Sequence, residues 1–161
     1  MATSLEELRV LRDVDAAADG TWKQVVEWDS FAREVVGGQL ARAADSIGAN
    51  IAEVFGRFHY GEKLQFLYCA RGSLFETRYW LNRSLARNLM ATGQVQEYAS
   101  RLTNVARQLN AFARGIKTQR RGKTKQSKSV RETPAEYVIE TEPSPLFSAS
   151  DLEWLQSIPG L

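Results

Sequence analysis

Few residues of this 161-residue chain have the chemistry of a catalyst, and they do not form a recognisable catalytic set. The chain has one histidine, His59, and one cysteine, Cys69, and nothing in the sequence links the two. We therefore interpret Cys69 as a small core residue and His59 as a surface turn residue. The sequence has no glycine-rich phosphate loop, no metal-ligand spacing and no Ser/His/Asp arrangement. We expect no enzymatic activity, no metal and no cofactor.

Glu53 and Arg71 are charged residues in helical rows that otherwise carry small or apolar side chains. A charge in such a row should be paired, because an unpaired buried ion is costly. One interpretation makes Glu53 a catalytic carboxylate. The interpretation we favour is a buried ion pair or hydrogen-bond network that joins two helices and fixes their register. The members of this network would be Ser46, Asn50, Glu53, Arg71 and Glu76.

Arginines are spread along the predicted helices and do not form one dense basic stripe. For any single arginine, the ordinary interpretation is a solvated helix face. Cyclic symmetry, however, would multiply each arginine into a ring that can bind phosphates. Arg57 and Lys63 are the best candidates, because they flank an aromatic turn and aromatic rings beside cations can stack on bases. The remaining helix candidates are Arg83 and Arg87.

Charge is segregated along the chain, although the net charge is only +2. Residues 117–131 carry seven positive charges and no acid, whereas residues 132–161 carry six acids and no base. Seven cations can release counterions from phosphates and so bind nucleic acid without reading its sequence. The alternative is a solvated linker, or an electrostatic partner for the acidic block of the same or a neighbouring subunit. The cations of the basic block are Lys117, Arg120, Arg121, Lys123, Lys125, Lys128 and Arg131.

The elements that must position these residues are helices. Apolar spacing predicts four of them, with Gly115 as the stop of the last, over residues 4–27, 30–58, 62–91 and 94–114. Because the connections are short, sequential helices should be antiparallel neighbours. We therefore predict an all-α protein, an antiparallel up-down-up-down four-helix bundle with an extended C-terminal tail. The bundle takes residues 1–116 and the tail residues 117–161, basic over 117–131 and acidic over 132–161.

The end of the tail is too apolar for a purely solvated terminus. Residues 150–158 look like a short helix that Ser150 caps and Pro159-Gly160 stops. We expect this end to dock, either on its own bundle or on a partner. The side chains that would dock are Leu152, Trp154, Leu155 and Ile158.

Two long motifs fall in order along the second and third predicted helices. The first is Gln39-Leu-x-Arg-Ala-Ala-x-Ser-Ile-x-Ala-Asn-Ile-Ala-Glu53, followed by Gly56-Arg57, and the second is Phe66-Leu-Tyr-x-Ala-Arg-Gly-Ser-Leu-x-Glu76. Over residues 5–115 the chain resembles the four-helix-bundle family of 23S rRNA intervening-sequence proteins, which includes the accessory variability determinant of diversity-generating retroelements. The resemblance implies a homopentameric ring of protomers without known catalysis. For the retroelement branch it also implies a basic nucleic-acid-binding surface and a reverse transcriptase partner.

These observations predict a non-catalytic, homo-oligomeric scaffold that binds RNA or DNA, as an accessory of a reverse transcriptase. The alternative is a protein-interaction module whose C-terminal segment docks on a partner without any role for nucleic acid. No apolar run approaches the length of a membrane span, and the first residues lack the apolar core of a signal peptide. We therefore expect a cytoplasmic protein with no membrane partner.

Overall fold

The computed structural model describes residues 5–128 and 144–160, with side chains over 9–122 and 144–160. These residues are helical apart from short connections, which confirms the all-α prediction for the described part of the chain. None of the described helices is both long enough and apolar enough to cross a membrane. The elements are α1 (Leu5–Val26), α2 (Ser30–Ala32), a π-helical turn (Arg33–Gly37), α3 (Gly38–Gly56), α4 (Tyr60–Ala86), α5 (Thr92–Lys128) and α6 (Ala149–Gln156).

The long helices form a bundle around one hydrophobic core. α1 and α4 each pack against both α3 and α5, and the short helix α6 lies on α5. The apolar rows that the sequence shows at steps of three and four residues point into this core. Leu40 and Ile51 of α3 are completely buried, and so are Leu67, Leu74 and Leu81 of α4. The bundle is therefore confirmed, whereas the up-down-up-down order and the pentameric ring stay predictions.

Small residues let α3 sit close to its neighbours. A Cβ atom at Gly48 would lie only 3.3 Å from Cγ1 of Val14 on α1, which places the two helix backbones in close approach. Ala41 and Ala44 are buried on the same helix. Part of the crowding that the sequence indicates for this helix therefore comes from α1 and α4 of the same chain.

A π-helical turn connects α2 to α3 at the Gly37-Gly38 pair, so the two helices run on as one rod. Gly37 is buried, and a Cβ atom there would lie 2.5 Å from Cγ1 of Val25 and 3.5 Å from the ring of Trp28. The rod begins where the Asp29 side chain accepts a 3.0 Å hydrogen bond from the backbone N–H of Ala32. Gly37 is thus a close-packing point against the end of α1.

α5 continues well past the predicted stop at Gly115, and that prediction is wrong. The last core residue of α5 is Ile116, and residues 118–122 are all exposed, yet the helix runs on to Lys128. These twelve further residues extend about 18 Å at the rise of an α-helix. The boundary predicted between residues 116 and 117 therefore falls inside a continuous helix, and the first part of the tail is helical.

Replacing Gly37 by alanine is expected to destabilise the bundle by about 1–3 kcal/mol, because the new methyl group overlaps Val25 and forces repacking. Chemical denaturation followed by circular dichroism would show a lower midpoint with an unchanged slope.

Gly38→Ala is the matched control. A Cβ atom at Gly38 meets its nearest neighbour, the Arg42 guanidinium, at an ordinary 3.6 Å. This variant should be neutral or gain about 0.5–1 kcal/mol, since alanine is the better helix former. Equal destabilisation by the two substitutions would contradict the close packing at Gly37.

Candidate nucleic-acid interface and tail groove

The basic half of α5 leaves the bundle at the same end as the α3–α4 turn. The marker of this end is a stacked contact between Phe55 near the end of α3 and Phe112 of α5, with ring centroids 6.1 Å apart. Two residues after Phe55 comes Arg57, and five residues after Phe112 comes Lys117. We call this end of the molecule, with residues 57–63 and 117–122, the basic end.

Arg57 is engaged with its own chain. It forms a 2.7 Å ion pair with Glu53 one turn back, and its guanidinium lies 4.6 Å from the centre of the Phe66 ring. The ion pair is exposed, and such pairs contribute little to stability, so the guanidinium can exchange partners. Beside it, Phe58 is 81% exposed and His59 is exposed in the turn, which confirms the interpretation of His59.

A row of exposed arginines leads along α5 toward the basic end. Arg107, Arg114 and Arg121 recur every seven residues, and residues at this spacing share one helix face with a drift of only about 20° per step. All three side chains are exposed. Lys117 and Arg120 fall within the last step and on one side of the row, about 40° and 100° around the helix from Arg121, so further cations border the face on that side.

The structure separates the predicted nucleic-acid residues into two groups. Arg83 and Arg87 lie at the far end of α4, where Arg83 is twenty residues and about 30 Å from Lys63. They are not part of the basic end. Lys123, Lys125 and Lys128 lie on the helical extension, but their side chains are outside the described residues, and so is all of Arg131.

A polar network does join α3 to α4, but with a different membership from the predicted one. Ser46, Asn50 and Ser73 meet at the helix interface, where the Asn50 amide donates to Ser46 Oγ at 3.2 Å and Ser73 Oγ lies 3.0 Å from Ser46 Oγ. Asn50 also donates to the Ser46 backbone carbonyl at 2.8 Å. Ser73, which is not among the predicted members, supplies the contact from α4 in place of the charged residues.

Glu53 and Arg71 are paired as expected but not with each other. Glu53 is exposed and binds Arg57, whereas Arg71 forms a 3.2 Å ion pair with Asp151, eighty residues further along the chain. Glu76 is exposed on α4. The predicted ion pair between the two helices is therefore wrong, and the real partner of Arg71 lies in the C-terminal segment.

The C-terminal segment, residues 144–160, folds back over α4 and α5. We call the surface that it covers the tail groove. Leu146, Phe147 and Leu155 of the segment are buried there, and the Phe147 ring packs 5.7 Å from that of Phe75 on α4. The other predicted docking residues lie there too: Leu152 and Ile158 are half-buried, and the Trp154 ring is 41% exposed and packs in a tilted contact 5.4 Å from the Phe75 ring. In this structure the segment docks on its own bundle.

Side chains of α5 hold the segment by its backbone. Asn110 makes a two-point contact with Phe147, accepting a 2.6 Å hydrogen bond from its N–H and donating a 2.8 Å bond to its carbonyl. Closer to the basic end, Lys117 Nζ donates to the Ser144 carbonyl at 3.0 Å. Lys117 is therefore a tail contact as well as a cation of the basic end.

Arg78 of α4 is the most deeply buried charge among the described residues, with no exposed surface at all. Its Nε donates to the Leu155 carbonyl at 2.9 Å, and its two amino groups donate to the Ser157 carbonyl and to Asn82 Oδ1. Leu155 and Ser157 lie at the C-terminal end of α6, where the helix dipole favours a cation. Burial lowers the pKa of Arg78, although an arginine keeps its charge at neutral pH.

α6 begins at a capping box that also involves Arg71. Ser148, and not the predicted Ser150, is the N-cap, with Asp151 as its reciprocal partner. Burial alone would raise the pKa of Asp151, but hydrogen bonds from Ser148 and the Arg71 guanidinium together hold it below its ordinary value of 3.8. The Arg71 guanidinium also lies 4.7 Å from the centre of the Phe75 ring.

Two groove residues, Arg78 and Asn110, are not among the functional residues predicted from the sequence. A signal existed for Arg78, because it recurs seven residues after Arg71 in a row that otherwise carries Leu74 and Leu81. A charge at such a position needs a buried acceptor. Asn110 gives no comparable signal. Cys69, interpreted as a core residue, is exposed on α4, and that interpretation is wrong.

The fold and the basic end define a small helical-bundle protein with a projecting cationic helix. A family model described as 23S rRNA-intervening sequence protein matches residues 6–111, about two thirds of the chain, and the protein belongs to this family. A search among curated proteins gave no match. The matched span stops before the basic half of α5 and before the C-terminal segment.

Docking of the C-terminal segment is expected to weaken in acid. The lowered pKa of Asp151 means that its stabilising effect is complete above pH 3.8 and is lost as the pH falls through the lower, folded-state value. Hydrogen exchange of α6, corrected for intrinsic rates, should therefore show less protection at pH 3 than at pH 5. Asp151→Asn should lose about fivefold in protection at pH 5, as for the loss of a helix cap worth about 1 kcal/mol, with little further change at pH 3.

Glu153→Gln is the control for this experiment, because Glu153 is an exposed carboxylate on the same helix. It should keep the loss of protection between pH 5 and pH 3. A full acid-dependent loss in Asp151→Asn would contradict the role given to this carboxylate.

Proposed function

We propose that the protein is a non-catalytic, homo-oligomeric scaffold that binds nucleic acid at its basic end. The observation that carries this proposal is the convergence of the α3–α4 turn and the projecting half of α5 at one end of the bundle. Cations that the sequence separates by some sixty residues, Lys63 and Arg121, share this end with the exposed ring of Phe58. Cations give affinity for phosphates, and an exposed aromatic ring gives a surface on which an unpaired base can stack.

The shape of the basic end favours a contact that does not read sequence. A helix about 18 Å long beyond the core can follow a nucleic-acid backbone with the cations on its surface. The described side chains of this part of α5 include no carboxylate to offset them.

Self-association is supported by exposed apolar side chains at the opposite end. Trp22 is 59% exposed and Phe31 is 74% exposed, and each has an exposed valine four residues later, Val26 and Val35. Large apolar side chains gathered on a surface mark interaction sites. We propose that these four residues form a contact between subunits, in the homopentameric ring that the family resemblance implies.

The remaining parts of the proposal rest on the resemblance to the retroelement branch of the family. In that role the ring would hold RNA or DNA beside a reverse transcriptase through several equivalent contacts, so that weak contacts act together. The protein would be a cytoplasmic accessory and the polymerase would carry the chemistry.

Neutralising the basic end should weaken nucleic-acid binding. The triple variant Lys117→Gln, Arg120→Gln, Arg121→Gln is expected to lower RNA affinity and to reduce the slope of log affinity against log salt by up to about 2–3, since each lost phosphate contact removes about 0.7–0.9. Fluorescence anisotropy of a labelled RNA over a series of salt concentrations gives both quantities.

Arg42→Gln, Arg83→Gln, Arg87→Gln is the matched control, since it removes three charges from the opposite half of the bundle. Its affinity and salt slope should stay close to those of the native chain. Equal losses in the two triple variants would contradict the assignment to the basic end. Absence of RNA and DNA binding by the native protein at low salt would overturn the proposed function.

Charging the apolar contact should dissociate the assembly. Native mass spectrometry is expected to give about 90 kDa for a pentamer of the 18.1 kDa chain, and single chains for Trp22→Glu, Phe31→Glu. Both side chains are exposed in the protomer, so helicity should not change. Phe58→Glu, at an equally exposed ring on the basic end, should leave the mass unchanged. A monomeric native protein would refute the ring.

A further inference from the structure

We propose that the tail groove is a peptide-binding site, and that the C-terminal segment of a second copy of this chain can occupy it in exchange for the chain's own segment. The second-copy part rests on the self-association proposed above, whereas the peptide-binding part does not. The groove lies along α4 and α5, beside the basic end and away from the apolar contact of Trp22 and Phe31.

The groove contacts the C-terminal segment in the way that a peptide-binding site contacts its ligand. Bundle side chains reach the segment's backbone at both ends, through Asn110 on Phe147 and through Arg78 on the carbonyls of Leu155 and Ser157. A two-point contact from an asparagine to the N–H and the C=O of one residue fixes the position of the chain at that residue. Contacts of this kind bind a chain from any source that presents free backbone groups.

Side chains of the segment give the site its selectivity. The Phe147 side chain is 1% exposed and that of Leu155 is fully buried, so the site takes one aromatic and one aliphatic residue eight positions apart. Between them, the Asp151 carboxylate must meet Arg71. The ligand class is therefore an aromatic residue followed by a short helix that begins with an acid-containing cap and ends with a leucine.

An empty groove would exchange the Leu155 and Ser157 carbonyl acceptors of Arg78 for water and would expose apolar groups that line it, such as the Phe75 ring, which is unfavourable. A groove that releases its own segment therefore favours another segment of the same chemistry over water. Within the sequence at hand, that chemistry is found in residues 144–160, so a second copy is the source of the exchanging ligand.

The length of chain before the segment permits the exchange. Ser144 lies against Lys117, which is about 16 Å back along α5 from the end of the helix at Lys128. The sixteen peptide units from Lys128 to Ser144 can span up to about 55 Å. A two-layer bundle is only about 20 Å thick at the usual spacing of packed helices. A neighbouring subunit's groove is therefore within reach, at the high effective concentration that assembly provides.

The peptide-binding part is tested on the folded full chain. A site for a specific protease is inserted between residues 132 and 143, the folded protein is cleaved, and a dye-labelled peptide of residues 144–161 is added. We expect the anisotropy of the dye to rise on binding and to fall again with excess unlabelled peptide. A Phe147→Ala peptide should compete at least tenfold more weakly on the same protein, which avoids any folding defect in the groove.

Protein variants locate the binding. Asn110→Ala should bind the labelled peptide at least tenfold more weakly, whereas Arg87→Met, elsewhere on α4, should bind it normally. Failure of the labelled peptide to exchange at millimolar concentration would overturn the proposal, because the segment would then be a permanent part of the core. Equal competition by the Phe147→Ala peptide would overturn it as well.

The second-copy part is tested by mixing two uncleaved chains. One carries Asn110→Ala and has an intact segment, and the other carries Phe147→Ala, Leu155→Ala and has an intact groove. Hydrogen exchange with mass detection distinguishes their α6 fragments. We expect the intact segment to gain at least threefold in protection in the mixture.

Native mass spectrometry of the same mixture separates the two proposals. Mixed oligomers without any gain in protection would show that each segment stays on its own chain, and the exchange would be refuted. An absence of mixed oligomers would refute the self-association and the exchange together, while the result with the labelled peptide would stand on its own.

Discussion

The burial of one guanidinium constrains the arrangement of the C-terminal half of the molecule. Arg78 sits inside α4 without exposed surface, and its described partners are an amide oxygen and two backbone carbonyls, with no carboxylate. The segment that supplies the two carbonyls also covers the guanidinium, so the charge loses its water and gains these acceptors in the same event. The same segment places Asp151 on Arg71, Phe147 on Asn110 and Ser144 on Lys117. The groove, the C-terminal segment and Lys117 at the start of the projecting helix are thus arranged around one desolvated charge.

The core could be predicted from the sequence, because the side chains that build it repeat with the period of the helix. The burial of Leu40 and Ile51 on α3, and of Leu67 and Leu74 on α4, can be inferred from their helical spacing alone. The end of α5 could not be predicted in this way. Gly115 costs the helix only about 1 kcal/mol relative to alanine, and good helix formers such as lysine, arginine and glutamine follow it. A glycine ends a helix only when the residues after it gain more from another conformation than from continuing the helix.

The candidate site was harder to predict, because its contacts join residues that are distant in sequence. The sequence suggests Glu53, eighteen residues away, as the partner of Arg71. In the structure, Glu53 instead pairs with Arg57, which lies one helical turn away from it. Asp151 reaches Arg71 only because Phe147 and Leu155 find buried places on either side of it. No spacing rule encodes that choice. By contrast, the convergence of Lys63 and Lys117 follows from the bundle itself once the two helices are known to meet near Phe55 and Phe112.

Different interactions stabilise the two halves of the long helix α5. Up to Ile116 it is held by the core, whereas beyond that point it depends mainly on bonds within the helix, and helical pieces of this length are marginal in water. Like charges four residues apart, such as Lys117 and Arg121, oppose it further. A polyanion that neutralises these charges removes the repulsion and so lengthens the ordered part of α5. The charge of a bound ligand and the helix–coil equilibrium of this half of α5 are then linked. The ionic strength of the solution sets how far the helix extends from the bundle.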